Sequence, residues 1–255
     1  MRAARGALAH RASRPSPPTL TVHDPSLNNA AQPFGQRVWL TLLESGTAFD
    51  YVETAIAKGE KTPEFTAAYK AALGADPASD GKVPVLEELD AAGAVTFSVT
   101  ESAVVADYVA ARAGGALLPA TPAERARAGI WAEQSVAPFV KAFYALLMHR
   151  AAHGPVEAKA AALADAARAA GAALAPCGGP FLLGARLTTA DLMLAPFVLR
   201  LCTVRHYRGF ELPTEGADAQ RFLAFVAAIS ARESVKATTP DDAFFIEGYK
   251  GYAVE

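Results

Sequence analysis

An α/β domain followed by an all-helical one is the architecture this sequence predicts, and three observations predict it. As far as residue 113, short β-branched runs alternate with stretches whose apolar residues recur at helical spacing. Residues 114–122 read Gly-Gly-Ala-Leu-Leu-Pro-Ala-Thr-Pro, punctuation of the kind found in linkers. Beyond them the patterned segments are helical and none alternates convincingly as a strand does. The expected division is a basic leader over 1–18, an α/β domain over 19–113, a linker over 114–122 and a helical domain over 123–255. With 255 residues, 52% of them hydrophobic and 20% charged, the chain can build a substantial core.

Thr19 to His23 alternates as a first strand. After a polar loop ending at Pro33, Phe34 to Ser45 carries Val38, Trp39, Leu42 and Leu43 on one face and stops at Gly46, as a helix of about three turns does. Phe49 to Glu53 is the next strand, which completes a βαβ unit with parallel strands and a right-handed crossover. Pro63 opens a second helix at a position where its missing N–H costs nothing. A turn-rich connection over 75–81 leads to Val83–Leu86 and then, past a turn over 90–93, to its hairpin partner Val95–Val99. Glu101 to Ala113 closes the α/β part as a helix.

In the helical part, 123 to about 153 reads as one long helix that Pro138 bends or ends, followed by an Ala-rich helix over 156–174. Thr188-Thr189-Ala190-Asp191 has the form of a capping box, with Leu187 and Leu192 as its staple. The helix it starts is expected to reach Val204 with a kink near Pro196. A last regular helix spans Asp218 to Ala231, and an irregular aromatic tail follows with Phe244, Phe245, Tyr249 and Tyr252.

Several classes of function are excluded by composition. No apolar run reaches the eighteen or so residues of a membrane helix, so no membrane partner is expected. A net charge of −2 without a basic stripe argues against nucleic acid. Cys177 and Cys202 have neither metal-ligand spacing nor a disulfide framework, so no metal is expected and a reducing compartment fits. The leader, with Arg2, Arg5, Arg11 and Arg14 and no acid before Asp24, reads either as an organelle transit segment or as a disordered basic arm. The expected location is therefore cytoplasmic, or chloroplast or mitochondrion if the leader is a transit segment.

Val83-Pro84 and Glu101-Ser102 stand out as candidate site residues. A proline cannot donate to a strand ladder, and X-Pro is where cis peptides occur, a geometry that would leave the Val83 backbone facing outward. Glu101-Ser102 opens a helix whose free N–H groups and dipole suit an anion. The two features are expected to wall one small-molecule site.

Four pieces in fixed order, Gln32-Pro33-Phe34-Gly35-Gln36-Arg37-Val38, Gly81-Lys82-Val83-Pro84-Val85-Leu86, Glu101-Ser102 and Leu187-Thr188-Thr189-Ala190-Asp191-Leu192, resemble the cytosolic glutathione transferases. The resemblance spans roughly residues 19–250 and implies a thioredoxin-like N-terminal domain with a helical C-terminal one. Pro33 to Trp39 and Lys61 to Phe65 look most like the omega, lambda and dehydroascorbate-reductase branches. By that resemblance Val83, beside a cis Pro84, pairs its backbone with the cysteinyl part of glutathione, Glu101 and Ser102 hold the γ-glutamyl group, and Lys61 reaches the glycyl carboxylate. Phe34 sits beside the thiol position. The resemblance also implies a homodimer, a role in detoxification, and glutathione as co-substrate for a small apolar electrophile. Trp131, Phe143, Tyr144 and Tyr207 are the candidates for contact with that second substrate.

Where those branches carry a cysteine, this chain has Gln32. No mixed disulfide with glutathione can form there, which argues against thiol-transfer chemistry. Activation of a bound thiol without a cysteine is energetically open. Lowering a thiol pKa by two units takes about 2.7 kcal/mol. A hydrogen bond to a charged group contributes about 1.5–3 kcal/mol and a helix N-terminus about 0.3–1 kcal/mol. A Gln32 amide or the Phe34 N–H would therefore suffice as the catalytic group. Three readings follow: a conjugating enzyme, a non-catalytic binder of glutathione or apolar ligands, and an assembly module of the same fold.

Overall fold

The computed structural model describes residues 19–24, 32–54, 61–74, 81–150, 152 and 154–253. The expected leader over 1–18 and most of the loops before Pro33 and Gly81 lie outside the described residues. Strands β1 (Thr19–His23), β2 (Asp50–Val52), β3 (Val85–Leu89) and β4 (Val95–Thr100) form one sheet in the order β2-β1-β3-β4. β1 and β2 run parallel on either side in sequence of α1 (Pro33–Glu44), as the βαβ pattern requires. β3 is antiparallel to β1 and to β4. The strand expected from Val83 starts at Val85, because Pro84 has no N–H to give a ladder.

Different helices cover the two faces of the sheet. Leu20, Val22, Leu86 and Val99 pack with Val38 and Leu42 of α1 and with Val105 and Val109 of α3 (Ser102–Arg112). Val85, next to Leu86 and so on the other face, packs on Phe65, Ala68 and Tyr69 of α2 (Pro63–Leu73). Gly81 leads into β3 so close to α2 that a Cβ on it would stand 2.7 Å from the Phe65 ring. This is the thioredoxin-like sheet that the resemblance implies.

The second part is helical, and among its described residues β-structure is limited to isolated bridges at Phe181–Gly184 and Leu183–Arg186. Helix α4 (Pro122–Trp131), a π-helical segment (Ala132–Val136) and α5 (Ala137–Leu147) follow one another without a break. The disturbance expected at Pro138 takes the form of this change of register. Pro138 has no N–H for the carbonyl four residues back and its ring crowds that carbonyl, so the preceding turn widens. Helices α6 (Glu157–Leu174) and α10 (Ala217–Ser230) meet at Gly171, where a Cβ would lie 1.9 Å from the Asp218 carbonyl oxygen.

Two expectations are corrected here. The single helix from Thr188 to Val204 is three short ones, α7 (Thr189–Leu192), α8 (Ala195–Val198) and α9 (Leu201–Arg208). Pro196, which cannot donate a helical bond, sits in the first turn of α8, where a proline is tolerated only because a new helix starts. The aromatic tail is also helical, as α11 (Glu233–Thr238) and α12 (Asp242–Tyr249). Asp241 caps α12 through the Phe244 N–H, and Phe245 and Tyr249, four apart, are both buried.

Helix α1 belongs to both parts. Val38 and Leu42 lie in the sheet core and Leu40 in the core of the helical part. Gln36, Arg37 and Thr41 are buried as well. At its C-terminal end Glu44 accepts from Arg232 Nε at 3.0 Å and also from Arg232 Nη2 and Ser234 Oγ. Burial alone would raise the Glu44 pKa, but those hydrogen bonds and the Arg232 charge together hold it below the usual 4.5. A depressed carboxylate pKa contributes stability that is present above the unfolded value of 4.5 and is lost as pH falls through the folded one. Glu44→Gln is accordingly expected to cost about 1–2 kcal/mol at pH 7 and less in acid. Urea unfolding at pH 7 and near pH 4 checks this, and a cost that grows toward acid would contradict it.

No described helix is long and apolar enough to cross a membrane. Among the described residues no three His, Cys, Asp or Glu gather as a metal-binding group.

Candidate functional site

Three chain segments meet at one end of the sheet. The Val83–Pro84 peptide is cis and immediately precedes β3. Val85 is paired with Thr100 at the end of β4, and Thr100 Oγ1 donates to the Pro84 carbonyl at 3.0 Å. Glu101 and Ser102 therefore follow directly beside the proline. Glu101 is the N-cap of α3 and the one non-glycine with positive φ among the described residues, at φ 68° and ψ 111°. A side chain in that region is disfavoured for L-residues, and such positions concentrate at ligand sites. Its side chain is exposed, whereas Ser102 is buried at the first position of the helix.

The third segment is the start of α1. Arg37 Nη1 donates to Ser102 Oγ at 3.1 Å, and Arg37 Nε donates to the Met193 carbonyl at 2.9 Å. The guanidinium lies 4.9 Å from the centroid of the Phe34 ring and 5.3 Å from that of Phe197. Phe34, 37% exposed, meets Phe197 edge to face. Burial brings the Arg37 pKa down to about 10, still far above neutrality, so the group is a cation. Gln32 is half-buried at the N-cap of α1 and its side chain makes no capping bond. Because Pro33 is the first residue of the helix, the Phe34 N–H is one of the donors the helix leaves free.

Lys61 reaches the same end from the loop before α2, its Nζ donating to the Gly81 carbonyl at 2.5 Å. Gln32, Phe34, Lys61, Val83, Pro84, Glu101 and Ser102 are thus distributed over segments that neighbour one another. The second-substrate candidates are not gathered in this way. Trp131 is 1% exposed and donates through Nε1 to the Ala190 carbonyl, and Phe143 is fully buried, so both are core side chains. Helical aromatic spacing signals burial more often than contact with a ligand. Tyr207 donates to the Ile246 carbonyl at 2.6 Å, tying α9 to α12. Tyr144 alone among the four is half-buried beside Phe197, which bridges it to Phe34. Burial raises its phenol pKa.

Arg37, Phe197 and Met193 carry the geometry without having been singled out in the sequence. Arg37 stands inside the quoted motif, three residues after Phe34 and so on the same face of α1, which is the signal that could have found it. Neither cysteine touches this region. Cys202 is buried in α9, with its thiol pushed up to about 11 by burial and by Asp242, and Cys177 lies beside Arg127.

Residues 30–117 match a family model described as "Glutathione S-transferase, N-terminal domain". No curated protein matches the sequence. Among solved structures, the chain is similar to a trimeric glutathione transferase of Leishmania, at 26% identity and a TM-score of 0.74. That match covers 92% of this chain and 48% of the other, so this chain spans about half of that protein. It is similar to the omega transferase 1C of Trametes versicolor at 22% identity and a TM-score of 0.69, covering 92% and 96%. It is also similar to a theta-class transferase of Xanthomonas axonopodis pv. citri with glutathione bound, at 24% identity and a TM-score of 0.60, covering 88% and 98%. The fold is that of the glutathione transferases.

Proposed function

We propose that this protein is a glutathione transferase that conjugates glutathione to an apolar electrophile. The observation that carries the reading is the convergence of the cis Val83–Pro84 peptide, the positive-φ Glu101 with Ser102 at a helix start, and the N-terminus of α1. In this reading the Val83 backbone pairs with the cysteinyl unit, and Lys61 holds the glycyl carboxylate. Ser102, with its N–H at the start of α3, takes the γ-glutamyl carboxylate, and Glu101 takes the ammonium.

The thiol then lies against Phe34 and the open end of α1. Its proton leaves to water, and the thiolate accepts a hydrogen bond from the Phe34 N–H or the Gln32 amide. Sulfur attacks the electrophilic carbon; with an aryl halide the new C–S bond replaces the C–halogen bond and halide leaves with its electron pair. The apolar body of the electrophile packs on the exposed part of Phe34 and on Tyr144. We place the chain near the omega, lambda and dehydroascorbate-reductase branches, as a homodimer with a detoxifying role in the cytoplasm. A transit function of residues 1–18 would move it to the chloroplast or mitochondrion.

Wild-type protein is expected to be retained on immobilised glutathione and to turn over a model aryl halide, with Gln32→Ala slower by about tenfold, the size of one lost hydrogen bond to a charged group. Retention with equal inertness of both proteins would leave the non-catalytic binder in its place. Absence of retention would leave the assembly module.

A further inference from the structure

Arg37 is nine-tenths buried, and among the described residues no carboxylate pairs with it. A buried cation without a counter-charge is costly, so an arrangement that keeps one has a use for it. Its Nε is taken by the Met193 carbonyl and its Nη1 by Ser102 Oγ, while Nη2 has no acceptor among the described residues. On two sides the guanidinium is covered by the rings of Phe34 and Phe197, which shield it from water without neutralising it. The contact with Ser102 is directional. An arginine only donates, so it occupies a lone pair of the hydroxyl and leaves the Ser102 O–H to point elsewhere as a donor.

We propose that Arg37 is the buried positive charge of the site for the γ-glutamyl α-carboxylate, acting through Ser102 by orienting its hydroxyl as a donor and directly by its field. The inference rests on the proposed glutathione site. The Arg37 cation, the Ser102 hydroxyl and the open N–H groups of α3 then face one anion together. Arg37 is also tied to Met193, just after α7, so the helical part helps to set the charge that the α/β part uses. The thiolate is the competing anion, since Phe34 lies over the same cation. The contact with Ser102 favours the carboxylate.

The test compares glutathione with the analogue in which 4-aminobutanoyl replaces the γ-glutamyl unit, which keeps the ammonium and lacks only the α-carboxylate. Binding of each to wild type, Arg37→Gln and Arg37→Lys is measured by titration calorimetry, with circular dichroism confirming the fold of each variant. Wild type should prefer glutathione over the analogue by about 10- to 100-fold. Arg37→Gln should lose most of that preference while binding the analogue as wild type does, and Arg37→Lys should keep part of it. Equal weakening toward both ligands in the folded variants would overturn the proposal in favour of a structural role. An unchanged preference accompanied by a raised pKa of the bound thiol would overturn it in favour of the thiolate. If Arg37→Gln does not fold, Arg37→Lys decides alone, because a retained charge in altered geometry must reduce the preference and not the affinity for the analogue. Wild type that binds neither ligand would refute the glutathione site itself, an outcome separate from these.

Discussion

Replacing Asp191 by Ala is expected to destabilise the protein by about 3–5 kcal/mol. The Asp191 side chain is fully buried, and its two oxygens serve three donors. Oδ2 accepts from the Thr188 N–H, the carboxylate half of the α7 capping box, and from the Thr188 hydroxyl, each at 2.9 Å. Oδ1 accepts from the Leu182 N–H at 2.8 Å, which pins the segment before α7. Alanine would strand two buried backbone N–H groups at about 1–3 kcal/mol each and would remove a cap. For a chain of this size that corresponds to a fall in Tm of about 6–20 °C, read by calorimetry.

The charge of Asp191 is not the source of this stability. Burial raises its pKa, and its hydrogen bonds only partly oppose that. A raised carboxylate pKa means that folding disfavours the ionised form, so this group costs stability as pH rises through the unfolded value toward the folded one. Asp191→Asn removes the charge but offers one acceptor oxygen where three donors converge, and turns an N–H₂ toward donors. It should therefore remain destabilised. An Asn variant as stable as wild type would show that the acceptor count does not matter here. The damage should also reach the site, because α7 ends beside Met193, whose carbonyl holds Arg37.

What was legible in the sequence was what short-range pattern encodes. β1 to β4 and α1 to α3 stand within a few residues of where alternation, apolar period, proline and glycine place them. The capping box was readable because Thr188 and Asp191 are three apart. That Asp191 also holds Leu182, nine residues back, was not, since it depends on a loop folding over the helix start. The break-up of 188–204 into three helices and the helical tail were hidden for the same kind of reason: each piece is too short for its period to show, and tertiary packing sustains it. At the candidate site, the residues on turns and caps could be singled out because prolines and helix starts mark themselves. Arg37 was not, because a charged residue on an amphipathic helix reads as solvated, and only the packing of α1 between two cores buries it. Trp131 and Phe143 failed as substrate contacts from the opposite ambiguity, as aromatic periodicity does not distinguish a cleft from a core.

Gln32→Cys is expected to convert the protein to thiol-transfer chemistry, raising the reduction of a glutathione mixed disulfide by about 100-fold or more over wild type, whose site holds no thiol. The reason is the place rather than the residue. Position 32 is the N-cap of α1, with Pro33 and Phe34 as the first helical residues and no acidic side chain in the first turn. A thiol there faces the free N–H groups and positive end of a twelve-residue helix, with the Arg37 cation one turn on. Helix N-termini and neighbouring cations bring thiol pKa values from about 8.5 into a range of about 3.5–7.5. The introduced thiolate would attack the glutathione sulfur of the substrate disulfide, forming an enzyme–glutathione disulfide and expelling the other thiolate, which takes a proton from water. A second glutathione, as thiolate, would then release oxidised glutathione and restore the free thiol. The pH dependence of alkylation at the new cysteine reads its pKa, and intact mass reads the mixed disulfide. A pKa near 8.5 with no mixed disulfide would show that the start of α1 does not activate sulfur, and the same finding would count against activation of a bound glutathione thiol by the Phe34 N–H in the natural chain.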